Sequence, residues 1–278
     1  MVGPTERRTL VRWMIAEKRI SQRRACRWVG LSRNALKEPV LIKEKDVALQ
    51  ERIRQLAKRY KHWGLLKIHH KLRKQGEVAN HKRVRRLYRS AGLTLPRKLE
   101  KRLPESVRQP LPKATACNGC RSLDFTAPAD RSDGLSDGRK FRTLNVIDDY
   151  SREMLGIKID YSLPTRRVLG LLNKLVERYG KPVRLRSDNG PEFISQDLQD
   201  WCKEQQVILH WIEPGKPTQN AYIERFNGTF GREVLNANTF NSLAQVRRTV
   251  DAWLVEYNTE RPHQALKFMT PVEYRQAA

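Results

Sequence analysis

Apolar residues recur at helical spacing through the first third of the chain and shift toward strand-like alternation after residue 117. Residues 21–38, "SQRRACRWVGLSRNALKE", predict a helix, a glycine turn and a second helix. Ala25, Trp28 and Val29 form one apolar face, Gly30 breaks the pattern, and Ser21 and Ser32 stand where N-caps belong. Helices are also predicted over 46–60, 64–76 and 80–93. In the last, Val84, Leu87, Tyr88 and Ala91 fall at i, i+3, i+4 and i+7. After 117 the pattern predicts strands over 121–126, 140–151 and 154–162, the third with Leu155, Ile157 and Ile159 on one face. A helix over 165–179 ends at Gly180. A strand over 182–187, a helix over 195–206, a strand over 207–212 and helices over 219–235 and 242–257 follow. This order predicts a mixed five-stranded sheet with helices on both faces, preceded by an all-α helix-turn-helix region.

Four segments follow from the pattern: a helix-turn-helix segment (1–40), a second helix-turn-helix domain (44–95), a basic linker with four prolines (96–116) and a core (117–278). Charge sharpens this division. Of the net +25, residues 1–116 carry 32 Lys and Arg against 9 Asp and Glu, a net +23. Residues 117–278 carry 23 against 21, a net +2. Uncompensated charge of that size on helical patterns points to nucleic acid. The third helix of the second set is the candidate groove reader, with Lys82, Arg83, Arg85, Arg86 and Arg89 around its apolar stripe. No run of about 18 apolar residues is present, and the N-terminus lacks the apolar core of a signal peptide. A cytoplasmic protein is expected. Cys117 and Cys120 have metal-ligand spacing but no second pair nearby, so reduced thiols are expected rather than a zinc site.

Three acids stand out. Asp124 lies between Leu123 and Phe125 in the first core strand, where an unneutralised charge is expensive. Asp188 ends the fourth strand in "RSDNGPEF", and Glu224 lies on a helix whose stripe is Ile223, Phe226 and Phe230. Thirty-five residues lie between Asp188 and Glu224. Two aspartates on neighbouring strands and a glutamate on a packed helix can converge on one point, and three hard oxygen ligands suit magnesium or manganese, as a pair of ions. For Asp148 and Asp149 a hairpin turn held by side-chain bonds is favoured over a place in the site. Glu192 is expected to cap the following segment, and His263 to pack against the last helix.

The segments "SLDF", "LNVIDDYSRE", "RSDNGPEFIS", "PGKPTQNAYIERFN" and "EYNTERPHQAL" resemble the second-reading-frame product (OrfB) of insertion-sequence transposases of the IS-three family, with a retroviral-integrase-type core. "QRRACRWVGLSR" and "NHKRVRRLYRSAGL" are similar to that family's helix-turn-helix segments, so the likeness covers nearly the whole chain. The resemblance implies a ribonuclease-H-like fold for about residues 117–278, with Asp124, Asp188 and Glu224 as a DDE catalytic and metal-binding triad. It implies metal-dependent DNA strand cleavage and strand transfer. Arg33, the basic residues of 82–89, Lys216, Asn220 and Arg225 are the expected DNA contacts. The upstream reading-frame product of the same element and an oligomer on DNA are the expected partners.

Three positions depart from the family pattern. Arg121 stands where a tryptophan is usual. Gly228 and Gly231 stand four and seven residues after Glu224, where the family usually carries cations. The glycines motivate an alternative, a catalytically impaired DNA-binding remnant or regulator. A plain nuclease is a third reading; a glycosidase has no use for a +23 front half.

Overall fold

The structure is a computed structural model that describes residues 4–36, 44–96, 114–128, 134–213 and 217–278. Most of the linker and Lys216 lie outside the described residues. Two compact units are formed: one from the described residues up to Lys61 with Ala79–Thr94, the other from His62–Val78 with Leu95–Ala278.

In the first unit, α1 (Pro4–Ala16), α2 (Gln22–Val29) and α3 (Arg33–Leu36) pack around Val11, Ala25, Cys26 and Leu36. The pattern reading did not include α1, although Val11, Met14 and Ile15 lie on one stripe against this core. Gly30 closes α2 in the left-handed region (φ 65°), with the Leu31 N–H donating to Cys26 O at 2.9 Å. Ser32 Oγ accepts from Ala35 N at 3.1 Å as expected, whereas Ser21 makes no side-chain cap bond. The two N–H groups that Ser21 faces, those of Arg24 and Ala25, donate to its carbonyl instead. Further along, α4 (Glu44–Arg59) packs against α6 (His81–Ser90). Gln50 Nε2 donates to Leu87 O and Ser90 Oγ, and the nearly enclosed Asp46 takes Arg83 Nε (2.6 Å) and Arg86 Nη2 (2.5 Å). These guanidinium bonds, Arg86 first and then Arg83, hold the Asp46 carboxyl below its usual range.

The second unit begins with α5 (Leu65–Lys74), where Lys71 Nζ meets Glu260 at 2.9 Å and the His70 ring stacks on Phe268 at 3.7 Å. Its sheet holds β1 (Arg121–Thr126), β2 (Arg142–Asp148), β3 (Met154–Asp160), β4 (Arg184–Ser187) and β5 (Ile208–Trp211) in the order β3-β2-β1-β4-β5. The first three strands form an antiparallel meander; β4 and β5 run parallel to β1. The parallel steps require crossovers, supplied by α7 (Thr165–Tyr179) and α8 (Gln196–Glu204). These helices bury Val168, Leu172, Leu175, Leu198 and Trp201 against Leu123, Leu144 and Val146. On the other face, α9 (Ala221–Phe230), its π-helical continuation over Gly231–Leu235 and α10 (Leu243–Thr259) cover Ile147, Met154 and Ile159. A short α11 (Pro271–Gln276), absent from the pattern reading, starts at a capping box made by Thr270 and Glu273.

One expected stripe is split. Register on β2 jumps between Val146, opposite Gly156, and Ile147, opposite Met154, which leaves Leu155 as an extra residue. Such a bulge changes the side-chain alternation. Leu155 therefore joins the α7 side, whereas Ile157 and Ile159 join the α10 side. Gly156 follows directly; a Cβ there would lie 3.2 Å from Leu175 and 3.3 Å from Leu171.

Candidate active site

The sheet sets the first two acids side by side. Asp124 is on the central strand, paired with Asn145 of β2. Across the parallel edge, Arg121 pairs with Leu185 and Ser122 with Arg186. Continued two residues, the same register brings Asp188 level with Asp124. Asp188 also forms the turn that its neighbours predict, with Oδ1 accepting from Gly190 N at 3.1 Å. The polar turn and the strand-end acid are one feature.

Glu224 lies in the first turn of α9, which packs against β1 and β2. Asn220 Nδ2 ties the start of this helix to Leu123 O at 3.2 Å. One turn after Glu224, Asn227 Nδ2 donates to Asp124 Oδ2 at 2.7 Å. Asn145 Nδ2 donates in turn to Asn227 Oδ1 (2.7 Å) and to Thr126 Oγ1 (3.2 Å). A buried amide relay thus aims the Asp124 carboxylate. Asn227 and Asn145 were missed by sequence reasoning; the available signal was the i, i+3 spacing of Glu224 and Asn227.

The electrostatics tie the acids together. Burial, then the charge of Asp188, and last that of Glu224 push the Asp124 carboxyl up to about 6, against the Phe125 N–H and Asn227, which favour its ionised form. Burial raises the Glu224 carboxyl. The three do not close on one point: among the described residues no three His, Cys, Asp or Glu side chains are arranged to hold a metal ion.

The competing acids are accounted for elsewhere. Asp148 accepts from Asn118 N, Ser151 N and Ser151 Oγ at 2.8–2.9 Å, the expected hairpin turn. Asp149 forms a buried pair with Arg186 at 2.9 Å and accepts from Ser122 Oγ at 2.7 Å. Both sit at the Arg121 end of β1, three residues from Asp124. The Glu192 carboxylate pairs with Arg142 at 2.6 Å rather than capping α8, because Ser195 occupies the cap position. His263 packs edge-on against Tyr257 of α10, and burial followed by Arg261 and Lys67 holds its imidazole down to about 3. Burial pushes the Cys120 thiol up to about 12 and raises Cys117.

The expected DNA contacts divide. Arg33, Lys82, Arg85, Arg86, Arg89 and Arg225 are exposed, although Arg86, with the half-buried Arg83, is already bonded to Asp46. Asn220 is corrected: at 3% exposure it fastens α9 to β1 and has no surface to offer DNA. The two glycines leave α9 intact. A Cβ on Gly228 would touch only Arg232 Nη1, at 3.6 Å, and one on Gly231 would meet nothing within 4 Å. Arg121, in the place of the usual tryptophan, is 1% exposed and donates to Asn118 Oδ1 (2.7 Å) and Gly180 O (2.6 Å).

Comparison with known proteins completes the assignment. Integrase core domain families match residues 114–217 and 205–271, and an HTH-like domain family matches 44–101. The 31.7 kDa protein of insertion element IS407 from Burkholderia multivorans is 40% identical over 255 residues, covering 92% of this chain and 90% of the relative. The 39.2 kDa protein of insertion element IS476 from Xanthomonas euvesicatoria is 36% identical over 273 residues, covering 98% and 78%. Among solved structures, the simian T-cell lymphotropic virus intasome in complex with PP2A regulatory subunit B56 gamma has a chain that aligns at TM-score 0.53 and 15% identity, covering 81% of this chain and 75% of that one. That last likeness carries the ribonuclease-H-like fold alone. With sheet order, integrase core and insertion-element relatives in agreement, the chain belongs to the OrfB transposases of the IS-three family.

Proposed function

We propose that Asp124, Asp188 and Glu224 are the catalytic carboxylates of a DDE transposase that cleaves DNA strands and joins an element end to target DNA. The observation that carries this reading is the state of Asp124: desolvated, bonded by Asn227 and raised by the charges of Asp188 and Glu224. A structural carboxylate is normally accompanied by a cation; this one is accompanied by two further acids. The donor set, all hard carboxylate oxygen, fits Mg2+ or Mn2+, one ion or a pair, which these three side chains would hold. Such ions supply activation of a water or 3′-hydroxyl oxygen and neutralise charge on the departing oxygen of an in-line phosphoryl transfer. The chain's own contribution is placement. Asn227, braced by Asn145, fixes the angle of Asp124. The Gly190 turn fixes Asp188, and Asn220 fixes the start of the helix that carries Glu224. Above about pH 6, Asp124 is ionised and ready to bind a cation.

DNA is the substrate on this reading. Lys82, Arg85 and Arg89 of α6 form the exposed basic face for element ends, and the upstream reading-frame product and further copies of this chain are the partners. A strand-transfer assay on a pre-cleaved element end, in Mg2+ and then Mn2+, tests the proposal. Joined product that disappears with Asp124→Asn supports it; product that persists in that variant refutes it. The second reading, a DNA-binding regulator of the same family, is favoured by Gly228 and Gly231. It predicts tight end binding with no joined product in either metal, even after the upstream product is added.

A further inference from the structure

The face of α9 turned away from the carboxylates borders a cavity of about 1000 Å³ that the proposed chemistry does not use. On a helix with about 100° per residue, Tyr222, Arg225 and Thr229 lie roughly opposite Asn220 and Asn227. All three line the cavity. Its cationic lining is Lys67 of α5, Arg152 of the β2–β3 turn, Arg225, Arg232 and Arg261. The single acid among the lining residues is Glu233, and it is bonded by Arg261, Nη2 to Oε1 at 2.7 Å. The wall is apolar and aromatic, with Phe226, Tyr257 and Pro262. Arg152 lies 3.3 Å over the Tyr222 ring, and its buried Nη1 has no hydrogen-bond partner; neither has the buried His263 Nε2.

Cations collected this closely repel one another. Burial first, then Arg261, lower the Lys67 ammonium to about 7, with Arg225 and Arg232 adding to the effect against Glu233. A fold that gathers four cations beyond its one internal pair, around the unsatisfied Arg152 Nη1 donor, is arranged for an anion. The volume admits a phosphate group with its attached sugar, and the aromatic wall offers that sugar or a base a surface.

We propose that this cavity is a second nucleic-acid contact, in which Lys67, Arg225 and Arg232 hold a backbone phosphate of a DNA strand on the side of α9 opposite the carboxylates. The inference rests on the reading of DNA as substrate but not on the catalytic role of the three acids. Lys67→Gln and Arg232→Gln in the full chain test it. DNA binding is measured at about pH 6, where Lys67 is charged, without divalent metal across a salt series, with Lys67→Arg as the conservative variant and Lys203→Gln on α8 as the surface-charge control. Lys67→Gln is expected to weaken binding about tenfold, the scale of one charge-assisted hydrogen bond. It should also lower the log–log salt slope by about 0.7–0.9, the change for one phosphate that is no longer neutralised. Lys67→Arg should retain both, and Lys203→Gln should leave both unchanged. Equal affinity and slope in wild type, Lys67→Gln and Arg232→Gln, with unchanged unfolding midpoints, overturn the proposal. Inorganic phosphate that binds wild type but not Lys67→Gln, with DNA affinity indifferent, assigns the cavity to a free phosphate and also overturns it. Because no chemistry is read, this failure leaves the carboxylate reading standing. Persistence of strand transfer in Asp124→Asn would refute that reading and leave this one untouched.

Discussion

Asp124→Asn should stabilise the metal-free protein while abolishing strand transfer. The carboxyl is raised from its ordinary 3.8 to about 6 by burial and by Asp188 and Glu224. At about 1.4 kcal/mol per pH unit, keeping Asp124 ionised in the fold costs up to about 3 kcal/mol. The sign follows from linkage. A raised carboxyl binds its proton more tightly when folded, so its stabilising contribution is complete below about pH 4. It is lost as pH rises to about 6. At pH 7.5 the wild-type protein therefore carries the full penalty. Asparagine removes the charge at nearly constant shape, and its carbonyl oxygen can still accept from Asn227 Nδ2, which now lies 2.7 Å from Oδ2. Urea unfolding in EDTA measures the effect. Wild type should lose stability relative to the variant across pH 4–6, and the variant should be more stable at pH 7.5 by about 2–3 kcal/mol. Mg2+ should then raise the stability of wild type and leave the variant unchanged. A variant less stable than wild type at pH 7.5 in EDTA would refute the account. Asp124 would then be an acid stabilised by its surroundings, with no reason to recruit a cation.

The remaining predictions concern the support of the site and the DNA surface. Asn227→Ala should reduce strand transfer about 10- to 100-fold, the usual loss when the group orienting a metal ligand is removed, with DNA affinity unchanged in a gel-shift titration. Gly228→Ala should add about 1 kcal/mol to stability by urea unfolding, since the new Cβ would meet only Arg232 Nη1 at 3.6 Å. Gly228→Lys should raise strand-transfer yield; no rise would show that the family's usual cation is dispensable here. Replacing Lys82, Arg85 and Arg89 together by alanine should lower the salt slope of DNA binding by about 2–3, whereas Arg186→Met should cost about 3–5 kcal/mol by leaving Asp149 as an unpaired buried charge.

Period and punctuation made most of the second unit legible. The helix over 165–179 coincides with α7, and all five strands lie within their expected ranges, because Gly180, the Asp-Asn-Gly-Pro turn and the alternating apolar runs are local signals. The bulge at Leu155 was not legible, since an extra residue is visible only against the partner strand. Nor was α1, whose apolar stripe has meaning only once α2 and α3 cover it. Within the candidate site, the three acids could be singled out because a carboxylate among apolar neighbours is anomalous. Asn145 and Asn227 could not, because a neutral amide acquires a role only through partners 82 and 103 residues away. For the same reason the bond from Asn220 to Leu123, 97 residues away, is invisible in the sequence, where Asn220 reads as a DNA contact.

The departures from the family pattern take on a different meaning once α9 is in place. Gly228 and Gly231 remove cations from the helix, but Arg225 and Arg232 supply two others on the stripe that lines the cavity with Lys67. Arg225 lies on α9 and Arg232 on its π-helical continuation, and both line the same cavity. Positive charge on α9 and its continuation therefore stands on the cavity side. Lys67 and Arg152 stand around that stripe, and Arg121 is buried with two hydrogen bonds and an unpartnered Nε. Gly228 and Gly231 leave no cation at those two positions near Glu224, while Arg225 of α9 joins Lys67, Arg152 and Arg232 around the cavity. A DNA contact behind α9 would suit this cluster under either reading, so joined product in the strand-transfer assay, rather than the cluster, separates the transposase from the DNA-binding regulator.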